Sequence, residues 1–394
     1  MIESIKLINF LSFGEGHPDI SLQPLNVIIG TNGSGKSNFL EAFDLLRNAP
    51  NDITKPIREG GGVSDWLYKG ELRKKRSAVL DFVVKNRLPN VEYEFRYFLS
   101  FYDIANKFTL ADEKIASDIE GQEASKPYFF YDFDGLFNRI SVNYKNERRI
   151  ESDVNIDDMN QSILAQKRDA IHYPEITFLA NEFSKIKIYR DWAFGQNTLF
   201  RLPQKLDMKS DYLEPDCSNL CLVLNQLRND LQTKKRILKE LQEFYDNVED
   251  YEITFAGGHA QIFFQERGLK SSVPATRLSD GTLRYLCLLS ILCHPSPPPL
   301  VCIEEPELGM HPDIIPNIAR LLVEASERCQ LIITTHSEIL IDAFTEKPEV
   351  ILVAEKTEKG TQLKRLSKDE LKPWLENYRL GNLWASGEIG GTRW

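Results

Sequence analysis

The chain has 394 residues, 42% of them hydrophobic, and a formal net charge of −10. That length fits two or three domains, or one large domain with an insertion, and leaves ample apolar material for a core. The acidic balance excludes a protein coated in basic surface, so any nucleic-acid contact has to come from a local patch.

Residues 2–10 alternate (Ile2, Ser4, Ile5, Leu7, Ile8, Phe10) and turn at Ser12-Phe13-Gly14, which predicts a strand leading to a second strand at 25–29. The second strand runs into residues 30–37, G-T-N-G-S-G-K-S, and a helix is expected after Lys36, ending near Asn48 because Pro50 follows. Residues 51–76 read as a loop region, with Glu59-Gly60-Gly61-Gly62 as its flexible point and Arg73-Lys74-Lys75-Arg76 as the densest basic cluster. A charge run of that kind is more often a solvated turn than a phosphate-backbone contact.

From 77 to 143 the period is two: Val91, Tyr93, Phe95 and Tyr97 share one face, and Glu92, Glu94 and Arg96 the other. Similar runs at 78–84, 107–111, 127–133 and 138–144 predict an antiparallel sheet with one wet face. Residues 145–165 read as a polar loop, and 175–189 as a helix and a short strand. Between 205 and 249 the apolar residues shift to helical spacing: Leu220, Val223, Leu224, Leu227 and Leu231, then Leu238, Leu241 and Phe244. This is a short helical insertion, not a long coiled coil. A hairpin is expected about Gly257-Gly258 and a helix from Ser279 to about Leu292. Strands follow at 300–303, 331–333, 350–353 and 362–366. Helices are expected from Pro312 to about Glu327, after His336 and at 367–377, an α/β alternation.

Cys287, Cys293 and Cys302 lie in apolar runs and read as small core residues, while Cys217 and Cys221 with a distant histidine are a weaker, metal-binding alternative. The first six residues are too polar for a signal peptide, and the longest apolar run, residues 285–293, is too short to span a bilayer. The expectation is a soluble, reduced, cytoplasmic protein with no membrane partner.

The chemistry is organised around residues 30–37. Strand, glycine loop and helix follow one another in the spacing G-x-x-x-x-G-K-[ST]. Gly30, Gly33 and Gly35 permit positive φ and close backbone approach, and the loop amides at the helix N-terminus face an anion. Lys36 can reach the β- and γ-phosphates of a nucleotide, and the Ser37 hydroxyl can sit on Mg²⁺. The plain alternative is a glycine-rich surface turn.

Three later stretches complete a hydrolytic site. The apolar strand at 300–303 ends in Glu304 and Glu305; in phosphate hydrolysis one acid holds Mg²⁺ and the next positions or deprotonates the attacking water. Glu304 is assigned to the metal and Glu305 to the water, against an exposed acidic loop as the plain reading. Thr334-Thr335-His336-Ser337 stands at another strand end, where His336 can hydrogen-bond a γ-phosphate. Leu278-Ser279-Asp280-Gly281-Thr282 opens a helix; Ser279 is either an ordinary N-cap or part of a second phosphate-binding helix terminus.

Together these motifs resemble the ABC-type ATPase heads of the SMC/RecF class. N-G-S-G-K-S-N, from Asn32, Gly33, Ser34, Gly35, Lys36 and Ser37 to Asn38, is similar to that class's phosphate loop. L-S-D-G-T resembles the ABC signature, and I-E-E-P-E at 303–307, T-T-H-S at 334–337 and Asn9-Phe10 are also similar. More narrowly, E-E-P-E-x-G-x-H-P and the ending L-G-N-L-W-A-S-G-E-I-G-G-T-R-W resemble stand-alone ATPases related to the overcoming-lysogenisation-defect (OLD) nucleases. The resemblance covers both ends of the chain and only loosely its middle.

The resemblance implies an α/β fold: a P-loop ABC-type head with a RecA-like mixed sheet, an antiparallel β lobe and a short helical insertion. The head would take residues 1–200 and 251–394, with the insertion at 201–250. It implies ATP and Mg²⁺ as cofactors and head-to-tail dimerisation, or a higher homo-oligomer. Ser279 and Gly281 would then contact the γ-phosphate of ATP held by another copy, with Glu305, His336 and Lys36 catalytic and Ser37 and Glu304 on the metal. Departures are the metal acid, Glu304 where ABC heads use Asp, the lack of an evident metal-sensing Gln, and the absence of long arms. Val353-Ala354-Glu355-Lys356 lacks the acid-glycine entry of the related nuclease domain, and too few residues follow His336 to hold one. The expectation is therefore an ATPase without nuclease activity of its own that regulates a separately encoded effector, a nuclease or toxin, in defence against phage. The alternative is a DNA repair or maintenance ATPase that contacts DNA directly. The tail, with Trp384, Trp394, Gly387, Gly390 and Gly391, either docks on the head or presents a partner surface; docking avoids leaving tryptophan wet.

Overall fold

The period-two segment folds as its alternation requires. The structure, a computed structural model, describes every residue except 17, 72–76, 87, 89–92, 119–126, 145–146 and 392–394. The basic cluster at 73–76, Val91, Glu92 and Trp394 lie outside the described residues. The chain forms two compact units, one of Met1–Ile186, Glu349–Glu370 and Ser386–Trp394, the other of Lys187–Pro348 and Leu371–Ala385.

In the first unit eight strands lie side by side in the order Ile20–Ser21, Ile2–Ile8, Ser77–Val84, Glu94–Ile104, Lys107–Asp118, Phe129–Phe133, Asn138–Tyr144, Glu147–Ser152. Every pairing is antiparallel. Phe95, Tyr97 and Leu99 are buried, whereas Arg96 faces outward and donates to Asp81 at 2.9 Å. The buried face is covered by the helix Pro174–Ser184, with Phe178 against Phe95 at 5.6 Å and Phe183 against Tyr97 at 5.5 Å. The strand Leu25–Ile29 is buried at every position and runs parallel to Ile351–Thr357, which pairs antiparallel with Gly360–Arg365. A strand without polar alternation is what a parallel arrangement covered on both faces demands.

In the second unit Lys187–Tyr189, Leu300–Glu304 and Gln330–Thr334 pair in parallel. The helix Asp280–Leu292 is buried along almost its whole length, and Tyr285 stacks on Phe244 of the helix Leu231–Phe244 at 4.8 Å. A small sheet, Gln204–Lys205, His259–Glu266, Val248–Ala256 and Val273–Pro274, completes this unit.

Three expectations need correction. Residues 51–71 hold two short helices, Thr54–Glu59 and Val63–Trp66, so this region is not plain loop. The supposed polar loop after residue 145 contains the strand Glu147–Ser152 and the helix Ile163–Gln166. Glu147–Ser152 is an edge strand that is exposed at nearly every position, so it never acquires the apolar alternation that would mark it. Leu231 opens its helix on the exposed side, and Ile237 and Leu241 form the buried stripe there. All six cysteines are free and buried, and no cluster of metal-ligating side chains occurs among the described residues. Nor is any helix among them long and apolar enough to cross a membrane. The tail helix Leu380–Ala385 buries Leu380 and Leu383, and Arg379 holds Asp342 at 2.6 Å. Further on, the Gly391 amide donates to Glu355.

Candidate functional site: a phosphate loop and a strand-end diacid

In the first unit the glycine loop takes the conformation its residues permit. Gly30, Gly33 and Gly35 have φ of 152°, 77° and 102°. A Cβ on Gly35 would stand 2.2 Å from the Thr361 hydroxyl and 2.6 Å from that of Ser12, so only glycine fits there. Thr361 donates through its hydroxyl to the Ser34 carbonyl at 2.8 Å and through its amide to the Ser12 carbonyl at 2.7 Å, which pins the loop from outside. The helix Lys36–Asn48 begins with no side-chain cap and no acidic residue in its first turn. No carboxylate of its own first turn therefore offsets the positive end of the helix dipole there. Lys36 is only 7% exposed, and its ammonium donates to the carbonyls of Gly30 at 2.8 Å and Thr31 at 3.0 Å. Asn32, Gly33 and Ser37 are exposed, Asn38 is half-buried and Ser34 is buried. An uncapped helix end, a lysine lying along the loop and a serine hydroxyl at the surface fit the phosphates and metal of a nucleotide.

The second unit holds the remaining predicted residues. Glu304 ends the strand Leu300–Glu304, and Glu305, at φ 46°, turns the chain away from it. Its amide donates to the Thr334 carbonyl at 2.9 Å. His336 Nε2 stands 3.7 Å from Glu305 Oε1, so the second acid and the histidine come together although they lie 31 positions apart (336 − 305). Glu307 anchors the following turn, accepting from the Thr335 hydroxyl and, at 3.4 Å, from the His336 amide. Burial pushes its carboxyl above the ordinary value.

Ser279 does cap the helix Asp280–Leu292, accepting from the Thr282 amide at 3.0 Å. It remains exposed, and Gly281 is half-buried. A Cβ on Gly281 would press on the Gly309 carbonyl at 3.2 Å. Asp280 is held by the Arg201 guanidinium and by the Gly195 amide at 3.0 Å.

Four contributing residues escaped sequence reading: Thr361, Arg201, Trp192 and Arg284. Trp192 Nε1 donates to the Glu304 carbonyl at 2.8 Å and Arg284 Nη2 to the Glu305 carbonyl at 2.7 Å. The Arg284 guanidinium lies 4.4 Å from the Trp192 ring and 5.3 Å from that of Phe194. Burial lowers its pKa to about 10. None of these four sits in a local motif, and each acts across a long sequence separation. The only advance signal was Arg284's place one turn into the signature helix.

The mixed α/β fold that carries the glycine phosphate loop and the strand-end diacid is that of P-loop heads. Two solved structures share the fold. The first, a Smc head bound to the C-winged-helix domain of ScpA, is 15% identical, with 94% of this chain and 99% of that one covered and a TM-score of 0.56. The second, a Smc head domain with an extended coiled coil bound to the C-terminal domain of ScpA, derived from Pyrococcus furiosus, is 13% identical, with 95% and 98% covered and a TM-score of 0.54. Residues 25–342 match the family described as "AAA domain, putative AbiEii toxin, Type IV TA system", and the chain belongs to that family. No curated protein matches. What the chain shares with the two Smc heads is the fold.

Proposed function

We propose that this chain binds and hydrolyses ATP, dimerises head to tail on it, and regulates a separately encoded effector, a nuclease or toxin, in defence against phage. The observation that carries the ATPase part is the glycine loop. Its helix begins uncapped and free of acid, with Lys36 laid along the loop carbonyls. Lys36 and the amides of Gly33 to Ser37 would hold the phosphates, and Ser37 with Glu304 would hold Mg²⁺. The longer Glu304 side chain, where Asp is usual, supplies the hard oxygen that this ion prefers. Bound Mg²⁺ supplies charge neutralisation at the transferred phosphoryl group. Glu305 would orient the attacking water and take its proton, with His336 beside it to donate to the γ-phosphate. Ser279 and Gly281 would close the site of a second copy.

The effector part is supported differently. The family description names a toxin of a type IV toxin–antitoxin system, and both solved Smc heads carry a bound domain of a partner protein. An ATPase head that passes its nucleotide state to a separate protein accommodates both.

Steady-state ATP hydrolysis with Mg²⁺ tests the core of the reading. Lys36→Ala and Glu305→Gln are each expected to lower kcat by about 100-fold or more, the scale of losing one directed group at a phosphoryl transition state. Glu305→Gln should still bind ATP and collect as a dimer. Undiminished turnover in that variant would remove Glu305 as the base.

A further inference from the structure

Arg284 stands in a place where chain stability alone would not put it. It is 2% exposed, and its Nε and Nη1 find no hydrogen-bond partner among the described residues. Its stacking between Trp192 and Phe194 suits a cation, but the two unspent donors count against burying it. Beyond that stacking, the guanidinium adds one directed, charged hydrogen bond to the Glu305 carbonyl.

Glu305 is the residue in this turn that needs holding. Its φ of 46° is sparsely populated for anything but glycine, and such a conformation persists only where the surroundings over-determine it. Three contacts do so: its amide to the Thr334 carbonyl, the Leu308 amide to its carbonyl at 3.0 Å, and Arg284 to the same carbonyl. The first two are backbone contacts of the neighbouring strand and of the turn itself. The third comes from the signature helix, one turn after Gly281. Trp192 adds a parallel restraint on the Glu304 carbonyl and also packs against the guanidinium, so both acids of the pair are gripped by their backbones.

We propose that Arg284 is a positioning residue that fixes the Glu305 carboxylate for its work and ties it to the signature helix. A shift of the Ser279 end of that helix is then passed to Glu305 of the same chain. This rests on the ATPase reading above and deepens it: the signature that would serve a second copy's nucleotide also sets the hydrolytic geometry at home.

The test combines kinetics with hydrogen exchange on the full chain, using Arg284→Gln and Arg284→Lys. Arg284→Gln is expected to lower kcat about tenfold or more while KM and the affinity for ATP stay within about twofold, because a displaced base loses rate and not substrate. Arg284→Lys keeps charge and reach, should fold where the glutamine variant fails to, and is expected to restore kcat only in part. In both variants amide exchange in a peptide covering 300–310 should rise about tenfold without nucleotide. Unchanged exchange there overturns the proposal. So does a variant whose folded fraction turns over at the wild-type rate, which would make Arg284 a packing residue only. If the wild-type chain hydrolyses ATP no faster than Lys36→Ala, the ATPase reading fails, and the exchange measurement still decides whether Arg284 holds Glu305.

Discussion

Glu305 occupies a left-handed backbone conformation at the end of a buried strand, and that choice has a thermodynamic signature. For an L-residue this conformation costs about 1–2 kcal/mol relative to the right-handed one. Glycine escapes that cost but loses more chain entropy on folding, which returns part of the difference. Glu305→Gly is therefore expected to stabilise the fold by about 0.5–1 kcal/mol while abolishing turnover. Glu305→Gln should lose turnover with stability unchanged. Guanidinium midpoints separate the two, and a glycine variant no more stable than the wild type would show that no strain is stored there. At this scale the sequence is legible wherever chemistry is local. The glycine spacing at 30–37, the paired acids and His336 all announce themselves within a few residues. Arg284, Trp192, Arg201 and Thr361 do not, because each earns its role from a partner far away in the chain, and a lone arginine inside an apolar helix carries no mark of the carbonyl it serves.

At the scale of elements the antiparallel sheet was readable because one buried face imposes period two on strands such as Glu94–Ile104. The edge strand Glu147–Ser152 was not, since it has no buried face to impose anything. The joint between sheet and helix was equally hidden. Glu113, fully buried on the strand Lys107–Asp118, accepts from Tyr97 at 2.8 Å, from the Ser162 hydroxyl and from the Ile163 amide at 2.9 Å, and so fastens the start of the helix Ile163–Gln166. Burial raises its carboxyl from 4.5 to about 6. A carboxyl whose folded value lies above its unfolded one favours the fold when protonated. Its stabilising effect is complete below about 4.5 and is lost as pH rises through about 6. The amount lost is about 2 kcal/mol. Glu113→Gln should flatten the stability curve across that window, though the amide loses the bond from Ile163 and lowers the whole curve. Urea midpoints measured from pH 4 upward are the check; a slope identical to that of the wild type would mean that Glu113 does not titrate there.

At the scale of the whole molecule, both units draw on distant parts of the sequence, and the predicted residues are divided between them: the phosphate loop in one, the diacid, histidine and signature in the other. Spacing along a chain cannot say whether a signature serves its own phosphate loop or that of another copy, yet the two cases behave differently when defective chains are mixed. Lys36→Ala disables a phosphate loop and leaves the signature sound. Ser279→Arg blocks a signature and leaves the phosphate loop sound. In a head-to-tail dimer of one of each, the intact loop faces the intact signature and one of the two sites is whole. Random pairing of equal amounts makes half the dimers mixed, so turnover should return to at most about a quarter of the wild-type rate, and to less in so far as the Ser279 substitution is passed through Arg284 to Glu305 of its own chain. If loop and signature of the same chain form the site, every chain in the mixture stays defective and no activity returns. Adding a non-hydrolysable ATP analogue to the mixture should also shift the sedimenting species from monomer to dimer, since a ligand that binds the assembled state more tightly than the single chain favours it by mass action. Recovery of turnover without any dimer would point to exchange of nucleotide between heads that never stay paired, and would remove dimerisation as the output signal.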